Sequence, residues 1–230
     1  MTTAKRIVSA LTMAALAVGL TTANAQTVWN VNIGTEIDET DNFVGGATEN
    51  TANSTWNSIP SANQTGMALD DSTGDNSAGV TLDFTGTRAG GGGVYGTYGT
   101  GLEIFRTYAG ASSVSVDFTL KGLDNSATYD LIIYSDWQWA NANYPVAQTK
   151  GTGMSGTIWI NSTGYNSLVE DTEPANVSAQ GNWFRITGLT PDGGELAFTG
   201  GSGNNAAFSG FQLIDTTPAA ATPGTLIYGK

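Results

Sequence analysis

The sequence predicts an all-β protein: an antiparallel β-sandwich of jelly-roll type with long Gly- and Asn-rich loops. Three observations lead to this prediction. Apolar and polar residues alternate with a period of two along many short segments, helical periodicity is almost absent after residue 26, and Gly, Asn, Asp and Ser separate the alternating segments. Roughly nine or ten strands are expected, enough for a single two-sheet domain.

The strands are expected, in chain order, at TVWNVNI, GVTLDFT, SVSVDFTL, YDLIIY, GTIWIN, NWFRITG, ELAFTG and FSGFQLI. The clearest alternation is SVSVDFTL, where Val114, Val116, Phe118 and Leu120 are predicted to face the core and the residues between them to face solvent. YDLIIY differs because it is apolar almost throughout, which is typical of a buried strand.

Two segments share one layout, a strand followed by Gly-Leu, a polar turn and a second strand. They are VDFTLKGLDNSATYDLIIY and WFRITGLTPDGGELAFTG, and we interpret both as hairpins whose corners are filled by Leu123 and Leu189. Loops are predicted over 35–66, around a short element near Trp56, and over the Gly-rich stretch 88–101. The latter is not a phosphate-binding loop, because no Lys-Ser/Thr pair follows its glycines.

The two ends of the chain do not belong to this domain. Residues 1–25 have the basic start, the short apolar stretch and the Ala-Asn-Ala site of a secretory signal peptide. Cleavage after Ala25 is expected, which predicts a secreted protein, extracellular or at the cell surface. The β-sandwich is predicted over 26–215, and a flexible tail rich in Pro, Ala and Thr over 216–230.

Composition excludes several classes of function. The chain contains no Cys and no His, which removes disulfides, thiolate nucleophiles, Cys-ligated zinc and the Ser-His-Asp triad. Loss of Lys5 and Arg6 with the signal peptide takes the formal net charge from −12 to −14. A charge of this sign repels nucleic acid and anionic membranes, so neither is an expected partner. It suits an extracellular protein among neutral glycans or divalent cations.

A set of short motifs resembles a known group of proteins. In order they are WNVNIG, STWNSI, ALDDSTGDNSAGVTLDF, GLDNSATYDLIIY, ITGLTPDGGELAFTG and AAFSGFQLI. This order resembles the secreted β-sandwich domains that precede PEP-CTERM sorting signals in bacteria, which are similar in layout to galactose-binding-like jelly rolls and carbohydrate-binding modules. The resemblance covers about residues 27–215 and implies extracellular or surface residence without a defined activity. ATPGTLI at 221–227 is similar to the start of such a signal, with Ala-Thr where Pro-Glu is expected.

The stretch SDWQWANANYP, 135–145, is the candidate ligand site. If the preceding strand continues through it, Trp137 and Trp139 pack into the core. If the strand ends near Ser135, the rings lie on a loop beside amides and a carboxylate, the combination that stacks on a sugar ring and bonds its hydroxyls. On the second alternative Trp137 stays in the core, and the candidate ligand-binding residues are Trp139, Tyr144, Asn141, Asn143 and Asp136.

A candidate calcium site lies in DDSTGDN, where Asp71, Thr73 and Asp75 occupy alternating positions like the first ligands of a calcium loop. Asn76 replaces the required Gly at position six and Leu82 the required Glu at position twelve, so an EF-hand is excluded. A calcium site of another kind and a solvated acidic turn both remain open.

Catalysis is not favoured, although a glycosidase needs only two carboxylates. The candidates Glu103, Asp117, Asp136, Glu170, Asp171 and Glu173 show no spacing that marks an acid–base pair. The leading hypothesis is therefore a non-enzymatic domain with a structural or adhesive role, in contact with polysaccharide or another extracellular matrix component. The alternatives are a self-assembling matrix or filament subunit, since few lysines protect the strand edges, and a polysaccharide-degrading enzyme.

Overall fold

The structure is a computed structural model that describes residues 26–33, 55–59, 63–86, 115–135, 143–161, 168–173, 175–176, 181–201 and 208–218. The compact unit that contains them spans Gln26–Pro218. The strands of this described part are β1 (Val28–Ile33), β2 (Asn57–Ile59), β3 (Asn63–Ala68), β4 (Thr81–Gly86), β5 (Ser115–Lys121), β6 (Tyr129–Tyr134), β7 (Asn143–Lys150), β8 (Thr157–Asn161), β9 (Trp183–Leu189), β10 (Glu195–Gly201) and β11 (Gly210–Asp215). None of the described segments forms a helix that could cross a bilayer.

The strands form two sheets with the pairing of a jelly roll. The five-stranded sheet has the order β2-β1-β11-β6-β9, and the six-stranded sheet has the order β3-β4-β5-β10-β7-β8. In the series β1, β5 to β11, the first strand pairs with the last, the second with the seventh, the third with the sixth and the fourth with the fifth, always antiparallel. This nested pairing of eight strands confirms the predicted antiparallel sandwich of jelly-roll type. The remaining strands β2, β3 and β4 widen the sheets at their edges.

One hydrophobic core fills the space between the sheets. At its centre the ring of Phe118 stacks on three others, with centroid distances of 5.1 Å to Phe198, 5.3 Å to Phe208 and 5.0 Å to Phe211. These rings come from both sheets, so they hold the two layers together. The predicted inward residues of β5 that the structure describes are buried here: Val116, Phe118 and Leu120. They pack together with Trp29, Val31 and Ile33 of β1.

The interpretation of the two Gly-Leu segments as hairpins is wrong. Each segment passes from one sheet to the other, because β5 and β6 lie in different sheets, as do β9 and β10. A hairpin and an inter-sheet corner need the same polar turn between apolar strands, so the sequence pattern does not distinguish them. Leu123 and Leu189 are buried at these corners, as predicted. Gly122 is required at the first, because a Cβ there would lie 2.5 Å from the carbonyl oxygen of Gly79 and its φ is 78°.

The predicted loops and tail are only partly described. Within 35–66, the short element near Trp56 is β2, but β3 was not expected, because its mostly exposed residues give no apolar alternation. The stretches 1–25, 88–101 and 221–227 lie outside the described residues. The start of the predicted tail is held to the sandwich, since the backbone N–H of Thr216 donates to the carbonyl of Thr128 at 2.9 Å.

Candidate ligand-binding face

The outer face of the five-stranded sheet is closed. All six residues of β1 and of β6 are buried, so these strands are covered on both faces. A second apolar cluster lies there, formed by Val28, Ile132, Tyr134 and Ile214, with Trp56, Leu168 and Trp183 packed against it. β1 and β6 therefore present no side chain to solvent, and the side chains accessible on this face belong to the half-buried covering residues and to the edge strand β9.

Buried polar side chains on this closed face bond one another. The hydroxyl of Tyr134 donates to Oε1 of Gln212 at 2.6 Å, and Nε2 of Gln212 donates to Oδ1 of Asn30 at 2.7 Å. Nδ2 of Asn30 in turn donates to the carbonyl of Thr55 at 2.9 Å. Hydrogen bonding of this kind makes the burial of polar groups tolerable, which indicates a structural role for the chain of bonds.

The outer face of the six-stranded sheet is open and carries a row of short side chains. Apolar inward and polar outward residues alternate along β4, β5 and β10. One register row crosses all six strands through Asn63, Thr85, Asp117, Thr199, Ala147 and Thr157, each exposed or half-exposed. We call these six residues the short-chain row. With strands about 4.8 Å apart, the row is about 24 Å long.

Trp159 lies on one side of this row. It pairs with Pro145 in the β7–β8 register, while its neighbours Ile158 and Ile160 turn to the core. Trp159 is half-buried, so part of its indole is accessible to a ligand. Of the tryptophans in the described part of the chain, it alone lies on the open face. An indole beside hydroxyl groups combines a flat apolar platform with hydrogen-bonding partners.

A ladder of alternating charges lies on the other side of the row, toward the corners that hold Leu123 and Leu189. It consists of Asp83 in β4, Lys121 in β5, Glu195 in β10 and Lys150 in β7, and we call it the charge ladder. Lys121 forms an ion pair with Asp83, and Nζ of Lys150 lies 2.7 Å from Oε2 of Glu195.

The bonds within the charge ladder shift the pKa values of its members. The Lys121 ammonium, helped by the N–H of Gly66 at 2.7 Å, lowers the pKa of Asp83. The hydrogen bond from Lys150 lowers the pKa of Glu195, and the bond to Asp83 raises the pKa of Lys121. The two acids therefore stay ionised and keep both ammonium groups engaged at neutral pH.

The predicted ligand loop is described only at its two ends. Asp136, Trp137, Trp139 and Asn141 lie outside the described residues. β6 ends at Tyr134, and the next residue, Ser135, is buried. The choice between the two alternatives for this stretch stays a prediction.

Asn143 and Tyr144, the other two candidates of that loop, belong to the first residues of a strand. The backbone of β7 begins at Asn143, which pairs with Asn161, and Tyr144 pairs with the buried Ile160. Their backbone is therefore already part of the six-stranded sheet.

The acidic turn at 70–76 bonds to itself. Oδ1 of Asp71 accepts from N and Oγ1 of Thr73 at 2.8 and 2.6 Å and from the N–H of Asp75 at 3.1 Å. Asp75 accepts in the same way from N and Oγ of Ser77. Burial pushes the pKa of Asp71 upward, but the hydrogen bonds from Thr73, Asp75 and Gly74 outweigh it and lower that pKa. This is the geometry of an Asx turn.

Calcium at this turn stays a prediction. Across the described part of the chain, the structure brings together no group of three or more acidic side chains suited to a metal ion.

The carboxylates considered for catalysis are dispersed. Asp117 lies in the short-chain row, whereas residues 170–173 run beside β9 of the other sheet, with the N–H of Asp171 donating to the carbonyl of Trp183 at 2.8 Å. Glu103 and Asp136 lie outside the described residues. Burial raises the pKa of Asp171, whose Oδ2 has no hydrogen-bond partner in the described structure.

Sequence reasoning missed Trp159 as a site residue. The signal was present in TIWIN, where the isoleucines alternate with the tryptophan. With the isoleucines in the core, period two places the indole on the opposite face of the strand.

The chain matches no family model and no curated protein. Among solved structures it is similar to TmCBM61 in complex with β-1,4-galactotriose, at 12% identity and a TM-score of 0.23 over 45% of this chain and 62% of that one. It is also similar to the enzymatically active domain of bacteriophage CBA120 tailspike protein 4, at 11% identity and a TM-score of 0.23 over 59% of this chain and 19% of that one. With TM-scores this low, the fold assignment rests on the strand pairing of this chain, and no ligand is carried over from either protein.

Proposed function

We propose that this chain is an exported, non-enzymatic domain with a structural or adhesive role, and that it binds a polysaccharide along the short-chain row. The observation that carries the proposal is the row itself, with the accessible indole of Trp159 beside it. Export follows from the signal peptide predicted over residues 1–25.

The chemistry of the row suits a sugar chain. A pyranose ring has an apolar face that stacks on an indole and a rim of hydroxyls that both donate and accept hydrogen bonds. Thr85, Thr199 and Thr157 offer hydroxyls, and Asp117 offers two strong acceptors. Because the side chains of the row are short, the surface above the strands is flat, and an extended sugar chain can lie across it. The length of about 24 Å gives room for several consecutive sugar rings.

The other large face supports the same choice. On the five-stranded sheet, Trp56, Leu168 and Trp183 already cover the apolar cluster. Among its polar side chains, Tyr134, Gln212 and Asn30 bond one another. The open face therefore offers more polar side chains to a ligand from solvent.

Affinity electrophoresis of the mature chain through polysaccharide gels tests this proposal. Trp159→Ala should weaken retention by tenfold or more, since loss of an aromatic anchor typically costs more than about 1.4 kcal/mol of binding energy. Trp159→Phe keeps a ring and should recover part of the retention. Asp117→Asn should weaken binding, whereas Asp192→Asn, an exposed residue between β9 and β10, makes the same charge change away from the row.

Thermal melts of the same variants separate loss of binding from loss of folding. Unchanged retention in Trp159→Ala and Asp117→Asn, with the wild-type chain retained, would place the ligand elsewhere and overturn the proposed site.

A further inference from the structure

We infer that the polysaccharide held on this face is neutral, and that the charge ladder excludes chains carrying carboxylate or sulfate. The inference rests on the proposed function, because it names the class of ligand for the same row. It is carried by the positions and partners of the charged side chains around that row.

The row carries negative charge, and none of the described Lys or Arg side chains forms an ion pair with it. Asp117 lies in the third of its six positions, between Thr85 and Thr199, and is exposed. The other members of the row are amide, hydroxyl or methyl side chains. A uronate or sulfate group laid along this row would meet the Asp117 carboxylate in a chain whose net charge is already −12.

Both lysines of the described residues lie beside the row and are already engaged. Lys121 bonds Asp83 and lies opposite Glu195 in the β5–β10 register, and Lys150 bonds Glu195 at 2.7 Å. Recognition of an anionic sugar needs Lys or Arg donors directed at the ligand. Each ammonium has three N–H groups, but its charge is already balanced by a carboxylate, so an anionic sugar gains little net attraction from it.

The remaining basic side chain of the described residues is engaged as well. Arg185 lies on the five-stranded sheet, where its Nη2 is 2.8 Å and its Nε 2.9 Å from Oδ2 of Asp130. Within the described part of the chain, every Lys and Arg therefore has a carboxylate partner, and the open face provides attraction to sugars through hydroxyls, one carboxylate and an indole.

From the ion pairs of the charge ladder, we predict that two substitutions would reverse the preference for neutral over anionic polysaccharides. Asp83→Asn and Glu195→Gln together leave Lys121 and Lys150 in place but remove their acidic partners. Two ammonium groups beside the row would then be available to an anionic chain. Asp192→Asn with Glu170→Gln is the matched control, because both residues are exposed, neither belongs to the ladder, and the net charge changes by the same amount.

The test uses three pairs of probes that share a backbone: hydroxyethylcellulose with carboxymethylcellulose, dextran with dextran sulfate, and fully methyl-esterified polygalacturonate with polygalacturonate. The wild-type chain should be retained by at least one neutral polymer and at least tenfold less by its anionic counterpart, with little change between low and high NaCl. The Asp83→Asn/Glu195→Gln variant should gain retention on an anionic polymer, and added salt should remove that gain because it screens the exposed charges.

Three results would overturn the inference. Anionic polymers that bind the wild-type chain as well as or better than the neutral ones would overturn it while leaving the proposed function intact. An equal gain in the control variant would show that overall charge, not the ladder, governs exclusion. Retention by none of the six polymers would overturn the proposed polysaccharide binding, and with it this inference.

Discussion

The outer faces of the two sheets are built from strands of similar length but are opposite in character. On the five-stranded sheet, β1 and β6 are buried at every position, and most of their outward residues are apolar or hydrogen-bonded, Asn32 being the exception. On the six-stranded sheet, β5 and β10 alternate, and their outward residues are short, polar and accessible. The difference teaches that one face of this sandwich contributes to stability, whereas the other exposes polar side chains that stability does not require.

The largest expected effect concerns the bonded side chains of the closed face. Gln212→Leu removes one hydrogen bond from Tyr134 and one from Asn30, both fully buried. The loss of these two buried hydrogen bonds should lower the free energy of unfolding by about 2–6 kcal/mol. Thr199→Val, on the open face, should change it by less than about 0.5 kcal/mol. Urea denaturation of both variants measures the contrast, and equal effects would abolish the distinction between the faces.

A smaller effect should separate two asparagines of one strand. Asn30 is hydrogen-bonded through both Nδ2 and Oδ1, whereas Nδ2 and Oδ1 of Asn32 have no partner in the described structure although the residue is fully buried. Asn30→Leu should therefore cost about 1–3 kcal/mol, and Asn32→Leu should be neutral or stabilising. Denaturation midpoints of the two variants give the answer. A loss in Asn32→Leu as large as in Asn30→Leu would indicate that Asn32 bonds a bound water molecule or ligand.

The smallest expected effect on stability depends on pH and concerns Asp171, which lies beside β9. Burial raises the pKa of Asp171, partly offset by the N–H of Glu173 and reinforced by the Glu173 charge. A folded-state pKa above the unfolded one means that stability falls as pH rises through this range, because the folded state resists ionisation. Asp171→Asn should therefore raise the melting temperature at pH 7, and the gain should vanish near pH 3. A variant less stable than wild type at both pH values would contradict this account.

The two faces also differ in how well their residues could be predicted from the sequence. Alternation in SVSVDFTL predicted the inward and outward residues of β5, because burial on one face leaves a period of two. It did not predict that β5 and β6 lie in different sheets, since pairing is decided by strands distant in sequence. Trp159 was equally hard to single out, because its value as a site residue depends on the row contributed by β4, β5 and β10. Sequence drew attention instead to the tryptophans of 135–145, where aromatic rings and amides are dense.

The bond between Gln212 and Asn30 joins residues 182 positions apart, since the first strand of the jelly roll pairs with the last. A growing chain therefore cannot complete the five-stranded sheet until β11 has been made, and Trp29 and Val31 stay without part of their packing until then. Contacts this distant in sequence are expected to make folding slow, because the chain loses the entropy of closing so long a loop before it gains the energy of the contacts. Slow, late folding keeps the newly made polypeptide unfolded for longer, which suits the export that we propose, because a translocation channel passes extended chain.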